Sequence, residues 1–147
     1  MRAVIQRVLA AEVRVDEVTV GRIGPGLVVF LGVGRGDGES TARYLAEKVA
    51  RLRIFPDEAD KMNRSVQDCG GSVLVVSQFT LYGDCRTGTR PSFGGAAPAP
   101  EADGLYRYFG QTLREMGLEV ATGVFGARML VDVQNDGPVT IIMDTER

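Results

Sequence analysis

Leu27-Val28-Val29-Phe30-Leu31-Gly32-Val33 is a continuous apolar run, preceded by the turn signal Gly24-Pro25-Gly26. A strand with one wet face alternates apolar and polar residues, so an unbroken β-branched run reads as a strand covered on both faces. Upstream, residues 2–15 alternate loosely, Val4, Gln6 and Val8 against Ile5, Arg7 and Leu9, and predict a long strand. Val18–Ile23 predicts a second. Downstream, Gly34–Gly38 breaks the chain, and Ser40 is placed to cap a helix running to about Leu52. Its apolar stripe is Leu45, Val49 and Leu52. Arg53–Phe55 reads as a short strand ended by Pro56, and residues 57–71 as a loop.

Ser72–Thr80 is the next strong strand, centred on Val73-Leu74-Val75-Val76. Tyr82–Pro100 is rich in Gly, Pro, Ser and Thr and predicts one long functional loop. A second helix is expected over about Glu101–Met116, with Leu105, Phe109, Leu113 and Met116 on one face. The remainder reads as strands over Val120–Phe125, Met129–Gln134 and Val139–Asp144, the last two joined through Asn135-Asp136-Gly137 as a hairpin. The expected architecture is one α/β domain over residues 1–147, with two helices covering a mixed, mostly antiparallel sheet or partial barrel.

The 147 residues suffice for a real core, since a domain of this size buries roughly 68–70% of its unfolded surface. The start Met1-Arg2-Ala3-Val4-Ile5-Gln6-Arg7 lacks an apolar core followed by a small-residue cleavage site, and no apolar run reaches membrane-helix length. A cytoplasmic location with no membrane partner is expected. The two cysteines, Cys69 and Cys85, are expected as free thiols rather than a disulfide. There is no histidine. Ser-His-Asp and Cys-His nucleophile arrangements are therefore excluded, and no four-ligand Cys/His zinc site can form within one chain. The net charge of −2 argues against a grip on long duplex nucleic acid, DNA in particular. RNA, if handled, would be touched at a short end by a local cluster of cations.

Two stretches resist a purely structural account. Ser77-Gln78-Phe79-Thr80-Leu81 ends an apolar strand with three polar side chains. Either the hydroxyls bond neighbouring backbone, or the strand end presents N–H groups and hydroxyls to a ligand. Asn135-Asp136-Gly137-Pro138-Val139-Thr140 begins with an ordinary turn signal, but Pro138 within a strand region removes a ladder donor. Gly32-Val33-Gly34-Arg35-Gly36 follows a strand and lacks the phosphate-binding lysine motif, so it reads as a turn.

These two stretches resemble the signature motifs of the D-aminoacyl-tRNA deacylases. The flanks Lys61-Met62-Asn63 with Ser65, Gly83-Asp84, and Arg90-Pro91-Ser92-Phe93 are similar as well, and the similarity runs from Met1–Val8 to the second motif. The resemblance implies hydrolysis of the ester between a D-amino acid, or glycine, and the 3′-terminal ribose of tRNA. It implies a catalytic segment Ser77, Gln78, Phe79 and Thr80, with oxyanion-binding N–H groups at Gln78 and Phe79.

One such donor is worth ~2.7–4 kcal/mol and a ~10⁶-fold acceleration needs about 8, so two donors or one donor with a positioned water reach it without histidine. Thr80, lacking a base, is expected to orient substrate or water while the ribose 2′-OH assists.

The resemblance further implies a cis Gly137–Pro138 peptide that rejects L-aminoacyl groups by clash. It implies a homodimer, formed through the sheet, in which that motif reaches the partner's site. Arg7 matches a position that steadies the motif; as a bare residue it reads equally as a surface cation. Phe125 and Met129, within Phe125-Gly126-Ala127-Arg128-Met129, and Asn135 and Thr140 are carried over as substrate-binding. Read from pattern alone, Phe125 and Met129 are core residues. Arg86 and Arg90, with Lys61 and Arg64 as further candidates, would grip the tRNA CCA end; Thr87 falls where the family commonly has lysine. No metal or organic cofactor is expected.

Overall fold

The computed structural model describes residues 1–146. In chain order its elements are β1 (Arg2–Val15), β2 (Val18–Ile23), β3 (Gly26–Gly32), α1 (Glu39–Arg51), β4 (Phe55–Pro56), β5 (Met62–Arg64), β6 (Ser72–Ser77), α2 (Ala99–Glu115), β7 (Glu119–Thr122) and β8 (Leu130–Asp144). β1 is long enough to serve two neighbours along one edge. Its first half pairs antiparallel with β3, its second half with β2. Along the other edge it pairs antiparallel with β8. β3, β6 and β7 continue the sheet in parallel, the direction that needs long crossovers and here receives the two helices.

Alternation along β3 and β6 separates two apolar layers. Leu27, Val29, Leu31, Val73 and Val75 face the helices and pack with Leu45 and Val49 of α1 and Phe109 and Leu113 of α2. Val28, Leu74 and Val76 face the opposite way, into the curl of the sheet, with Val8, Val13 and Ile23. Both faces of β3 are covered, as its unbroken apolar run requires. The curl nearly closes: a Cβ added to Gly21 of β2 would lie 2.4 Å from the Thr122 carbonyl oxygen of β7. No helix among the described residues is long and apolar enough to cross a membrane.

Four local expectations are corrected. α1 begins at Glu39, with the Gly38 carbonyl accepting the Ala42 N–H at 3.1 Å, so Gly38 rather than Ser40 is the cap. Residues 57–71 contain β5, which pairs with β4 as a small ribbon. The strand read as Ser72–Thr80 ends at Ser77 and tightens into one 3-10 turn, Phe79–Tyr82.

Most consequentially, residues 130–144 are one strand and not a hairpin. Val8 pairs with Asn135 and Gln6 with Thr140, so the intervening Asp136–Val139 swells out of a single ladder against β1. A turn signal read locally cannot distinguish a reversal from an excursion within one strand.

Candidate active site

The end of β6 is fixed to its neighbour before it turns. The Gln78 N–H donates to the Leu31 carbonyl at 2.8 Å, continuing the β3–β6 ladder by one residue. That amide is therefore unavailable as an oxyanion donor, which corrects the expectation for Gln78. The 3-10 turn follows at once, with Leu81 N–H bonded to Gln78 O and Gly83 N–H to Thr80 O. Its two leading amides, Phe79 and Thr80, have no partner among the described residues. The Gln78 side-chain amide donates to the Thr80 hydroxyl, fixing that side chain.

The turn is held from behind by Arg2, whose Nη1 donates to Leu81 O at 3.0 Å and whose guanidinium lies over the Tyr82 ring. Burial, with Asp37 nearby, holds the Tyr82 phenol above its usual range, so it stays neutral at working pH.

Beside this turn opens a cavity of about 520 Å³, within the range of small-molecule sites. Ser77, Gln78 and Phe79 form one wall, and Phe125, Gly126, Ala127 and Met129 form another. Val33, Val76 and Val131 floor it, and Ala96, Ala97, Ala99 and Ala102 close the side at the start of α2. No acidic, basic or thiol side chain belongs to that lining. Phe79, 55% exposed, meets Phe93 of the long loop edge to face, ring centroids 5.1 Å apart.

The second motif stands apart from this cavity within one chain, since none of Asn135, Gly137, Pro138, Thr140 or Arg7 lines it. Its excursion is braced by its own side chains. The Asn135 carboxamide accepts the Val139 N–H at 3.3 Å and donates to the Thr140 hydroxyl at 3.1 Å, while Gln6 donates to the same hydroxyl at 3.2 Å. Asn135 and Thr140 thus hold the loop's neck. Gly137 has φ +123, a region closed to most L residues, and its peptide bond to Pro138 is cis. Arg7 lies behind the loop: its Nη1 donates to Ile54 O at 2.6 Å and its Nε sits 3.2 Å from the Asp136 carboxylate. It is mostly buried, 11% exposed, which excludes the free surface cation.

Of the cations proposed for RNA, Arg86 is locked in a fork with Asp84, Nε to Oδ1 at 2.9 Å and Nη2 to Oδ2 at 2.7 Å. Those bonds, with the Arg86 backbone N–H donating to Oδ1 at 3.0 Å, lower the Asp84 carboxyl pKa to about 2. Arg90 lies exposed on the same loop, which Asp84 and Ser92 pinch together by two backbone bonds. Lys61 and Arg64 sit on or beside the β4–β5 ribbon, Arg64 donating to Asp68 O. Cys69 and Cys85 are free and exposed.

A profile of the D-Tyr-tRNA(Tyr) deacylase family matches residues 4–144. The chain belongs to that family. Among curated relatives of this deacylase-family chain, a D-aminoacyl-tRNA deacylase of Heliobacterium modesticaldum is 62% identical, covering 98% of this chain and 96% of its own. One of Thermotoga petrophila is 58% identical over 100% and 99%. A solved structure described as a c-Myc DNA unwinding element binding protein superposes with TM-score 0.93 at 40% identity, covering 99% of both chains. A probable eukaryotic D-amino acid tRNA deacylase shares the fold, with TM-score 0.82 at 18% identity and 97% coverage of both.

In this member of the deacylase family, the alanine wall was missed by sequence reasoning. Gly94-Gly95-Ala96-Ala97-Pro98-Ala99-Pro100 was visible as a small-residue run. Its signal was the absence of side-chain bulk just before an amphipathic helix, which leaves room for a ligand against backbone.

Proposed function

We propose that this protein hydrolyses the ester joining a D-amino acid to the 3′-terminal ribose of tRNA, releasing both. The observation that carries the reading is the uncharged cavity lined by Phe79, at the head of a turn whose Phe79 and Thr80 N–H groups have no partner among the described residues. A site without acid, base or nucleophile pair stabilises an acyl-transfer transition state through backbone donors and substrate position. The scissile carbonyl oxygen sits against Phe79 N–H and Thr80 N–H. The Thr80 hydroxyl, held by Gln78, orients the substrate or the attacking water, and the ribose 2′-OH assists. Ser77 supports the same wall; Phe125 and Met129 pack the bound 3′ end.

Chirality is set by exclusion. Gly137–Pro138, presented on a neck braced by Asn135 and Thr140 and backed by Arg7, enters the site of a second copy and leaves no space for the L side chain. The support for a homodimer is geometric: none of the motif's residues lines the cavity of its own chain, so a motif that enters such a cavity must come from a second copy. Glycine has no side chain to clash, so Gly-tRNA is a substrate too. Arg90 contributes to holding the CCA end; Arg86, paired with Asp84, acts mainly through the loop. The reaction needs no metal and takes place in the cytoplasm.

Single-turnover hydrolysis of D-Tyr-tRNA, L-Tyr-tRNA and Gly-tRNA with EDTA present tests the reading. The D ester should be cleaved at least ~10³-fold faster than the L ester, a gap of about 4 kcal/mol. Hydrolysis of none of the three would leave only a fold.

A further inference from the structure

Arg35 lies in the glycine-rich segment after β3, which the mechanism above does not use. Asp37 N–H donates to Gly34 O at 3.2 Å, and Gly36, the third residue of this four-residue turn, has φ +84. That is the turn geometry that demands glycine at its third position and leaves Arg35 at the outer corner. The Asp37 carboxylate closes the turn by accepting the Gly34 N–H at 2.7 Å and pairs with the Met1 ammonium at 2.8 Å. It is therefore turned to other partners and does not neutralise Arg35.

The arginine itself is aimed. Its backbone N–H donates to Gly95 O at 3.0 Å, and its Nε donates to Gly94 O at 2.7 Å. Val33, two residues before it, lines the cavity and accepts the Ala97 N–H at 2.9 Å; Ala96 and Ala97, just beyond its carbonyl partners, line it as well. The guanidinium is thus held by one nitrogen to the segment that leads into the cavity wall at Ala96 and Ala97, leaving its two terminal nitrogens for a ligand. Like Arg51, Arg53, Arg64, Arg90, Arg114 and Arg128, Arg35 pairs with no carboxylate among the described residues, and of these it is the one bonded to the segment that carries Ala96 and Ala97. An unneutralised, prepositioned fork beside an uncharged cavity suits a phosphate.

We propose that Arg35 binds the phosphodiester preceding the nucleoside held in the cavity, and so fixes how far the single-stranded 3′ end enters. This rests on the tRNA-ester reading above. Arg35 is a binding residue, with no part in bond cleavage.

The test compares wild type, R35Q and R35K on D-Tyr-tRNA and on D-tyrosyl-adenosine, which carries no phosphate. For R35Q, KM on the tRNA should rise about tenfold with kcat within about twofold, while kcat/KM on the adenosyl ester is unchanged. The slope of log KM against log salt should shrink by about 0.7–1 in R35Q and persist in R35K. Equal losses on both substrates would overturn the proposal and make Arg35 a brace for the loop; no change on the tRNA would overturn it also. Binding of uncharged tRNA is measured in parallel. If wild type cleaves neither ester, the hydrolysis reading fails, and the R35Q loss of affinity and salt slope on uncharged tRNA still decides Arg35.

Discussion

The backbone N–H of Gln78 donates to the carbonyl of Leu31 at 2.8 Å, and this bond sets which amides remain for chemistry. It extends the parallel ladder one residue past Ser77, so the chain tightens only afterwards and leaves Phe79 and Thr80 as the leading donors of the turn. The proposed main-chain site should respond weakly to side-chain deletion. Thr80→Val, which removes the hydroxyl but not the amide, should lower kcat by about tenfold in single-turnover assays. A fall beyond ~10³-fold would instead make Thr80 the nucleophile.

The proposed mechanism has the ribose 2′-OH assist hydrolysis, since no acidic, basic or thiol side chain belongs to the cavity lining. A D-Tyr-tRNA ending in 2′-deoxyadenosine, aminoacylated on its 3′-OH, should be cleaved at least ~10²-fold more slowly than the ribose form. Equal rates would remove the 2′-OH from the mechanism.

Gly137 leaves no space for a side chain. A Cβ there would lie 2.9 Å from Val139 Cγ2 and 3.1 Å from Arg7 Nη2, at a φ of +123 that L residues rarely adopt. Gly137→Ala should therefore distort the excursion, at a cost of order 1–3 kcal/mol in stability. The ratio of D- to L-ester hydrolysis should fall with it. Unchanged rates on both enantiomers would detach this loop from selectivity.

The Asp84–Arg86 fork gives a prediction in acid. A carboxyl lowered in the folded state contributes stability above its unfolded value of about 3.9, and loses it as pH falls toward the folded value of about 2. In Arg86→Ala, carboxyl chemical shifts should show the Asp84 midpoint rising from about 2 toward ~3.9 but stopping short of it, because the residue-86 backbone N–H still donates to Asp84 Oδ1. With both groups on the surface, neutral-pH stability should hardly change. An Asp84 midpoint still near 2 would mean that the backbone N–H of residue 86, rather than the guanidinium, holds the carboxylate.

Much of this was legible in the chain. The unbroken run Leu27–Leu31 announced a strand covered on both faces, and the layers on either side of it are Leu27 and Val29 toward the helices, Val28 toward the curl. Ser77, Phe79, Phe125 and Met129 were named for the site and line one cavity. What could not be read were long-range pairings. Asn135-Asp136-Gly137 carries a turn signal, but whether the next strand returns or continues depends on β1 being long enough to pair with all of β8. The engagement of Gln78 N–H has the same origin, because its acceptor lies on another strand.

The uncharged lining of the cavity has one practical consequence. Reagents that acylate activated hydroxyls or alkylate thiols find no primed atom there, and the two cysteines, Cys69 and Cys85, are not among its walls. An inhibitor would have to succeed by fit alone, as an uncleavable amide in place of the ester, and resistance to it would have to arise by reshaping main chain rather than by exchanging one reactive residue.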